Sequence, residues 1–395
     1  MLSKIIASCR RHLTNSSIVV VALLLTACAA QKKAFEPVFF PSEPSPPRIQ
    51  YLMGISESTD VEEEKKNDFS LIVTGRGSSE AKRLIAKPYG ITSANGKIYV
   101  CDIGVGNLVV IDPAKKSFDY LKGNTGLGKL KKPANVGLDK NGNLFVADAA
   151  RKEIMVYNAE GQFVRSFGKE ENMKPADVAI DGDLVYVLDL QKTKNEIKVF
   201  DRESGRLMNT FGKRSDNAEG INIPTNFTMD HTGAIYVTNA GNGKLMKFDR
   251  DGHLLLSFGD LGDISGMFSR PKGVAVDKEN RIYIVDGGNQ NVQVFNDKGR
   301  ILVAFGDPGL MRGSLNLPVS VTVTQDNLDY FQKFAAPGFT LESVILVTNQ
   351  YGQDKISVYG LGKMAGRDYT ERAPTAKATE GAKAKETGTQ ENQAK

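Results

Sequence analysis

The stretch that decides the fold runs from Arg270 to Gly306 and reads RPKGVAVDKENRIYIVDGGNQNVQVFNDKGRILVAFG. It contains four short apolar runs, GVAV, IYIV, VQVF and ILVAF, separated by polar turns rich in Gly, Asp and Asn. Short runs bounded by turn residues are typical of β-strands joined by hairpins. The stretch therefore predicts a four-stranded antiparallel meander.

The same unit recurs along the chain. Two further clear copies begin at Lys132 (KPANVGLDKNGNLFVADAARKEIMVYNAEGQFVRSFG) and at Ile223 (IPTNFTMDHTGAIYVTNAGNGKLMKFDRDGHLLLSFG). A proline opens each unit, and six such prolines stand 42 to 49 residues apart: Pro88, Pro133, Pro175, Pro224, Pro271 and Pro318. Repeated four-stranded meanders pack radially into a β-propeller. A TIM barrel or a doubly wound sheet would need helical patterns between the strands, and the sequence contains none. The sequence predicts an all-β, six-bladed propeller of four-stranded antiparallel blades.

The sixth unit has no apolar run that could be its fourth strand, because its last apolar runs, residues 344–348 and 355–361, are its second and third strands. At the other end of the chain, residues 48–54 (RIQYLMG) follow the pattern of residues 300–306 (RILVAFG), the fourth strand of the fifth unit. We therefore predict that an N-terminal strand completes the sixth blade and closes the ring.

These motifs resemble the NHL repeat. PxGVAVD, IYIVDxxN, VQVF and a strand ending in FG follow one another in the fifth unit. The resemblance covers residues 48–363 and is strongest in the fifth, second and fourth units. It implies a six-bladed propeller.

The sixth unit departs most from this pattern, because it contains an insertion at residues 325–342. The insertion includes Tyr330, Phe331 and Phe334. Surface insertions often carry binding residues, and aromatic side chains often anchor a partner. We predict that these three residues bind a partner, with the alternative that the rings only seal the joint between two blades.

The first 28 residues predict export. A basic segment precedes an apolar run at residues 18–25, which is too short to span a bilayer and is typical of a secretory signal. The sequence Leu25-Thr26-Ala27-Cys28 resembles the bacterial lipobox. The resemblance implies a lipoprotein signal peptide at residues 1–27, acyl chains such as palmitate on Cys28, and an outer-membrane lipoprotein that faces the periplasm or the cell surface.

Two further segments flank the repeats. Residues 28–47 are polar and Pro-rich, which predicts a semi-rigid tether between the membrane and the propeller at residues 48–363. Residues 364–395 are rich in Ala, Thr, Glu, Lys and Gly, which predicts a disordered tail. Cys101 would be the one unmodified thiol of the mature chain, so we expect a fold without an internal disulfide.

Composition excludes several classes of protein. Apolar residues make up 41% and charged residues 25% of the chain, close to a globular average, which argues against global disorder and against a multispan membrane protein. The formal net charge of +5 falls to +2 without the three basic residues of the signal. This charge is too weak to predict nucleic-acid binding, and an exported protein would be separated from cellular nucleic acids.

Strand alternation places the loops that enter each first strand on one face, together with the loops that join second and third strands. We call this the mouth face. The residues that precede the repeat prolines form its inner rim: Lys87, Lys132, Lys174, Ile223, Arg270 and Leu317. The opposite face, the back face, carries the Asp-rich turns: Asp112, Asp139, Asp181, Asp230, Asp249 and Asp277. We predict that the four basic rim residues bind a partner electrostatically. The alternative is that Lys solvates the loops and Asp forms the turns.

Two residues after each proline, the innermost strands reach the channel. The residues at this level are Gly90, Asn135, Asp177, Asn226, Gly273 and Ser320. Asn135, Asp177 and Asn226 offer oxygen ligands of the kind that suit Ca²⁺, and they resemble the axial metal position of lactonase-type propellers. They equally suit structural hydrogen bonding, and no Glu completes the set. We predict no cofactor, with Ca²⁺ at these three residues as the alternative.

No catalytic constellation emerges from the sequence. The peptide-amidating lyases that resemble this family need channel histidines, whereas His231 and His253 lie in turns away from the mouth face. No GxSxG elbow is present. The sequence predicts a protein that is not an enzyme but a membrane-anchored, extracytoplasmic binding or scaffold module for an envelope protein. The alternatives are a metal-dependent hydrolase of the lactonase type and a cell-envelope glycan binder.

Overall fold

The computed structural model describes residues 36–62, 82–191, 194–212, 220–310 and 312–370. Within these residues, the strands form six antiparallel sheets, and each sheet is one blade of a propeller. The predicted six-bladed, all-β fold is therefore confirmed. The predicted signal peptide, Cys28 and the tail beyond residue 370 lie outside the described residues. None of the helices in the described part of the chain has the length and hydrophobicity needed to traverse a bilayer.

Two strands precede the first complete blade, and each of the first five blades then consists of four consecutive strands. The early strands are β1 (Phe39–Phe40) and β2 (Ile49–Ile55). Blades 1 to 3 contain β3 (Pro88–Ala94), β4 (Lys97–Asp102), β5 (Asn107–Asp112), β6 (Ser117–Tyr120), β7 (Pro133–Leu138), β8 (Leu144–Asp148), β9 (Glu153–Tyr157), β10 (Phe163–Phe167), β11 (Pro175–Asp181), β12 (Leu184–Gln191), β13 (Lys194–Asp201) and β14 (Leu207–Phe211). Blades 4 and 5 contain β15 (Pro224–Met229), β16 (Ile235–Asn239), β17 (Lys244–Phe248), β18 (Leu254–Phe258), β19 (Pro271–Val276), β20 (Ile282–Asp286), β21 (Asn291–Phe295) and β22 (Ile301–Phe305).

Each repeat proline is the first residue of a first strand. Proline suits this position because it lacks the N–H that a ladder partner would need. The second and third strands are apolar and almost fully buried, whereas the fourth strand is half exposed, as Leu302 (40% exposed) shows in β22. Apolar side chains of neighbouring blades meet between the sheets, for example Val285 and Val292 against Ile345 and Val347.

Blade 6 joins the two ends of the propeller. It contains β23 (Pro318–Thr324), β24 (Phe339–Asn349) and β25 (Ile356–Met364), with the short helix α1 (Leu328–Gln332) in the insertion after β23. The N-terminal strand β2 pairs antiparallel with β25, with Ile49 opposite Leu361 and Ile55 opposite Ile356. The predicted closure by an N-terminal strand is confirmed.

A fifth strand lies on the outer edge of blade 6. Phe39 and Phe40 of β1 pair with Gln50 and Ile49 of β2. The ring of Phe40 is buried, 6.2 Å from the ring of Phe305 and 6.3 Å from that of Tyr359. The part of the predicted tether from Phe39 onward therefore packs against the propeller, because its aromatic residues find an open strand edge and an apolar pocket there.

The first residues after β25 also contact this segment. Arg367 forms an ion pair of 2.8 Å with Glu43, and the Tyr369 hydroxyl donates a hydrogen bond of 2.6 Å to the Pro47 carbonyl. Residues 365–370 thus lie against the outer edge of blade 6, although the sequence predicted the start of a disordered tail at 364.

A buried Asp or Asn lies at or near the end of each second strand and accepts hydrogen bonds from the backbone that enters the first strand of its own blade. These latch residues are Asp102, Asp148, Asp189, Asn239, Asp286 and Asn349. In blade 5, the carboxylate oxygens of Asp286 accept hydrogen bonds of 2.8 Å from the Ser269 and Arg270 backbone N–H groups. Equivalent bonds hold the Lys132 N–H to Asp148 and the Lys174 N–H to Asp189. The latch residues thereby fix the backbone of the mouth-face rim.

Candidate functional site

Three polar side chains from adjacent blades meet on the channel axis. Asn135 Nδ2 donates a hydrogen bond of 2.6 Å to Asp177 Oδ1, and Asn226 Nδ2 donates one of 3.2 Å to Asp177 Oδ2. The three residues are 8%, 3% and 1% exposed. We call them the axial cluster. The structure thus brings together the three residues that the sequence singled out, and both amides donate to the carboxylate of Asp177.

Gly90 and Gly273 have no side chain, which lets neighbouring first strands approach each other closely at the level of the axial cluster. A Cβ atom at Gly90 would lie 2.3 Å from Asn135 Oδ1, and one at Gly273 would lie 2.5 Å from the Ser320 Cα. Real Cβ atoms do not come this close to other heavy atoms. Glycine is therefore required at both positions, where neighbouring first strands approach most closely.

The carboxyl group of Asp177 is electrostatically unusual. Its burial raises its pKa to about 7, even though hydrogen bonds from the Phe227 and Val178 backbone N–H groups and from both Asn amides favour the ionised form. A buried carboxylate without a counter-charge is costly, and no described residue forms an ion pair with Asp177. Burial thus makes this carboxyl group harder to ionise than an ordinary aspartate.

A cavity of about 260 Å³ extends along the channel from the axial cluster toward the back face. First strands of all six blades line it. Its lining includes the axial cluster at one end and Asp181 and Asp230, at the first hairpin turns, at the other. We call it the axial cavity. The cavity therefore extends away from the basic rim that the sequence predicted.

The rim residues of the mouth face are largely available to a partner. Lys132, Lys174 and Arg270 are exposed, and Lys87 is half-buried with its Nζ 6.0 Å from the centroid of the Tyr351 ring. None of the four basic residues forms an ion pair with a residue that the structure describes. Their charges are therefore not neutralised within this part of the chain.

Carboxylates beside the rim, in contrast, are paired or buried. Glu153 accepts a hydrogen bond of 3.0 Å from Arg151, and Glu196 lies 3.5 Å from Lys198 Nζ. Both carboxylates are 6% exposed. Glu153 and Glu196 are thus paired with basic residues close to them in sequence.

Apolar residues occupy the two remaining rim positions. Ile223 is 59% exposed and Leu317 is 43% exposed. Tyr351, in the loop between the second and third strands of blade 6, is 55% exposed. Ile223 and Leu317 were placed on the rim by their position before a repeat proline, but binding was predicted only for the four basic residues. Tyr351 was not singled out, although it lies in a mouth-face loop.

The aspartates of the back face bind within their own turns. Oδ1 of Asp139, Asp230 and Asp277 accepts hydrogen bonds from the backbone N–H groups two and four residues later. Asp249 does the same in a turn between third and fourth strands, and its Oδ2 lies 2.9 Å from His253 Nδ1. Asp249, Asp251 and His253 could together offer ligand atoms to a metal ion, but this exposed group is explained by the turn itself.

The aromatic insertion lies on the back face. Asp326 Oδ2 accepts a hydrogen bond from the Gly96 N–H, in the first hairpin of blade 1. Phe331 is 1% exposed within the apolar core between blades 6 and 1. Tyr330 packs on it edge-on at 5.0 Å, and Phe334 is 39% exposed. Phe331 therefore seals the joint between the blades, and the insertion does not share a face with the basic rim.

Comparison with known proteins agrees with this architecture. Residues 268–295 match the family model of the NHL repeat. The protein is thus a six-bladed β-propeller, and its fifth blade carries an NHL repeat. No curated protein matches the chain in sequence.

Solved structures share the fold at low sequence identity. A gluconolactonase from Xanthomonas campestris has a TM-score of 0.51 and 15% identity, over 84% of this chain and 99% of its own. A protein of unknown function from Bacteroides thetaiotaomicron has a TM-score of 0.52 and 15% identity, over 70% of each chain. The calcium-binding protein regucalcin from Agrobacterium tumefaciens has a TM-score of 0.49 and 14% identity, over 72% of this chain and 92% of its own.

The prediction that this protein is not an enzyme is wrong. It rested on the lack of a familiar catalytic motif, yet a propeller that shares this architecture is a gluconolactonase. Fold and function are separable, and the absence of a motif in the sequence gives no ground for excluding catalysis.

Proposed function

We propose that this protein is a membrane-anchored, extracytoplasmic docking module whose mouth face binds an acidic surface of an envelope protein. The observation that carries the proposal is the composition of the rim. Lys132, Lys174 and Arg270 are exposed and form no ion pair with a described residue, and Ile223 and Leu317 complete the ring with exposed apolar side chains.

This combination is typical of a protein interface. Charged groups steer association and select the partner, whereas apolar groups that leave water supply affinity. The latch residues hold the rim backbone in place, so little conformational entropy is lost there on binding. The partner surface that fits the rim is acidic with apolar pockets between its carboxylates.

The test is affinity purification of the tagged, full-length protein after mild cross-linking of whole cells. The variant Lys132→Glu/Lys174→Glu/Arg270→Glu reverses three rim charges. The control Lys140→Glu/Lys278→Glu/Lys298→Glu makes the same change in net charge at exposed residues of the back face. We expect one envelope protein to be enriched with the wild type and the control but lost with the rim variant, and its affinity to fall as salt rises. Equal recovery with the rim variant would refute the proposal.

The anchoring part of the proposal rests on the lipobox at Cys28. We expect the wild-type protein in the membrane fraction and the Cys28→Ala variant in the soluble fraction. An unchanged distribution would contradict lipid anchoring without affecting the test of the rim.

A second candidate function is acid–base hydrolysis in the axial cavity. One observation favours it: Asp177 lines the cavity, and burial raises its pKa to about 7, the range in which a carboxyl group can exchange protons with a substrate at neutral pH. We expect Asp177→Asn to abolish any lactone or ester hydrolysis by the purified protein. Activity that persists in this variant would exclude Asp177 as the acid–base group.

A further inference from the structure

The loop between β6 and β7 carries positive charge without a counter-charge of its own. Residues 121–132 read LKGNTGLGKLKK, with four lysines and no acidic residue. Lys129, Lys131 and Lys132 are exposed, and none of the three forms an ion pair with a residue that the structure describes. We call residues 121–132 the basic loop. Because it leads into the first strand of blade 2, it belongs to the mouth face.

The basic loop also presents an apolar side chain to solvent. Leu127 is 80% exposed, the largest exposed fraction of any large apolar residue in the described part of the chain. Val105, in the neighbouring loop of blade 1, is 49% exposed. The two loops touch, because Asn124 Nδ2 donates a hydrogen bond of 3.1 Å to the Gly106 carbonyl. Two exposed apolar residues therefore accompany the lysines.

The backbone of the basic loop is fixed on both sides of Leu127. The Gly123 N–H donates a hydrogen bond of 2.7 Å to the Gly161 carbonyl of blade 2. The Leu130 N–H donates one of 2.7 Å to Asn124 Oδ1, and Leu130 itself is 2% exposed. The exposure of Leu127 is thus a property of the folded loop.

The N-terminal segment approaches the propeller from the same face. Strand β2 runs toward the mouth face, because it leads into the first strand of blade 1. Strand β1 pairs antiparallel with β2, and the Tyr51 N–H donates a hydrogen bond of 3.0 Å to the Val38 carbonyl. The chain therefore reaches β1 from the mouth-face side. The ten residue steps from Cys28 to Val38 span at most roughly 35 Å, so an acylated Cys28 would keep the mouth face near the membrane.

A lipid surface fits these features together. Anionic headgroups attract exposed lysines, and an apolar side chain flanked by them enters the boundary between headgroups and acyl chains. We infer that the basic loop contacts the anionic surface of the anchoring membrane, with Leu127 inserted among the headgroups and Lys129 and Lys131 against lipid phosphates. The inference rests on the lipid anchor of the proposed function. It also locates the partner of the rim, which would lie in or at the same membrane.

The test measures the depth of Leu127 in a bilayer. The acylated, full-length Leu127→Cys variant is labelled with an environment-sensitive dye and reconstituted in vesicles of phosphatidylcholine and phosphatidylglycerol. Cys101 is fully buried and should stay unlabelled. We expect a blue shift of the emission and quenching by spin-labelled lipids. The control Leu255→Cys, at a residue that is 57% exposed on β18, should show neither.

The lysines are tested in the labelled Leu127→Cys background. Each lysine near an anionic surface changes affinity roughly fivefold, so Lys129→Gln/Lys131→Gln should shift the equilibrium away from contact by about twentyfold. Most of the quenching should then disappear, as it should in high salt or in vesicles of phosphatidylcholine alone. Lys140→Gln/Lys298→Gln, which removes the same charge from the back face, should leave the quenching unchanged.

Several outcomes would overturn the inference. Equal quenching of dyes at positions 127 and 255 would do so, as would quenching at 127 that survives Lys129→Gln/Lys131→Gln. An unquenched dye, together with an envelope protein that Leu127→Ser no longer captures, would assign the basic loop to a protein partner. The vesicles contain no partner protein, so none of these results decides the test of the rim. A protein that fails to float with the vesicles would contradict the anchor, and this inference with it.

Discussion

Asp177 Oδ1 and Asn135 Nδ2 lie 2.6 Å apart across the boundary between blades 3 and 2, and their bond joins two strands that belong to different sheets. Thr225 makes a similar connection, because its hydroxyl donates a hydrogen bond of 2.9 Å to the Pro271 carbonyl of the next blade. Side chains, rather than backbone ladders, thus tie neighbouring blades together at the axis.

The stability of the protein should depend on pH through Asp177. Its pKa is about 7 in the folded protein and ordinarily 3.8, so the folded state holds this proton more tightly than the unfolded state. The free energy of unfolding should therefore fall as pH rises from about 4 to about 7, by up to about 4 kcal/mol from this group. Asp177→Asn should lose this dependence. Urea unfolding of both proteins at pH 5 and pH 8 measures it, and parallel changes would show that Asp177 is not the cause.

The latch residue Asp286 should tolerate Asn but not Ala. Asn occupies the same position in blades 4 and 6, as Asn239 and Asn349, and its oxygen accepts an equivalent backbone bond there. Asp286→Ala leaves the partly buried N–H groups of Ser269 and Arg270 without these acceptors and should lower the free energy of unfolding by about 2 to 4 kcal/mol. We expect Asp286→Asn to lose less than half as much in urea titrations. Equal losses in the free energy of unfolding would mean that the negative charge of Asp286, rather than its capacity to accept hydrogen bonds, holds the backbone that enters β19.

The closing strand should be essential to the stability of the ring. Ile49 is fully buried between blades, so Ile49→Ala should lower the free energy of unfolding by about 2 to 5 kcal/mol. Leu255, which is 57% exposed on a fourth strand, gives a control whose change should stay below about 1 kcal/mol. Chemical denaturation of the two variants compares them, and a small loss for Ile49→Ala would argue against closure by β2.

Two aromatic residues of the insertion should behave differently. Phe331→Ala removes a buried ring and should lower the free energy of unfolding by about 3 to 5 kcal/mol. Phe334→Ala, at a residue that is 39% exposed, should lower it by less than about 1 kcal/mol. Thermal and urea unfolding test this pair. Similar small losses would show that the insertion is not part of the core.

The sequence predicted the blades because each repeat contains residues that mark where its strands begin and end. A proline starts every first strand, and an Asp or Asn at or near the end of every second strand is its latch residue. The closing strand was also predictable, because residues 48–54 repeat a fourth-strand pattern. The strand Phe39–Phe40 was not, because two residues between prolines carry no periodicity and pair only when an edge is present.

The site was predicted less completely. The repeat position of Asn135, Asp177 and Asn226 was enough to predict that they lie together, because equivalent residues of successive repeats meet at the channel axis. Which of their atoms would form hydrogen bonds depends on the contacts of each amide, which no spacing reveals. The burial of Phe331 depends likewise on how an insertion folds back over its neighbouring blade.

Strand β2 is among the first of the described strands to be synthesised, and its partner β25 is the last of them. Ile55 and Ile356, which face each other in the finished blade, are separated by almost the whole length of the propeller. Contacts so distant in sequence form slowly. Until β25 emerges, the apolar side chains of β2 have no sheet to join, and an unpaired apolar strand is prone to aggregation. Closure by an N-terminal strand thus leaves β2 exposed to aggregation in the nascent chain until blade 6 has been synthesised.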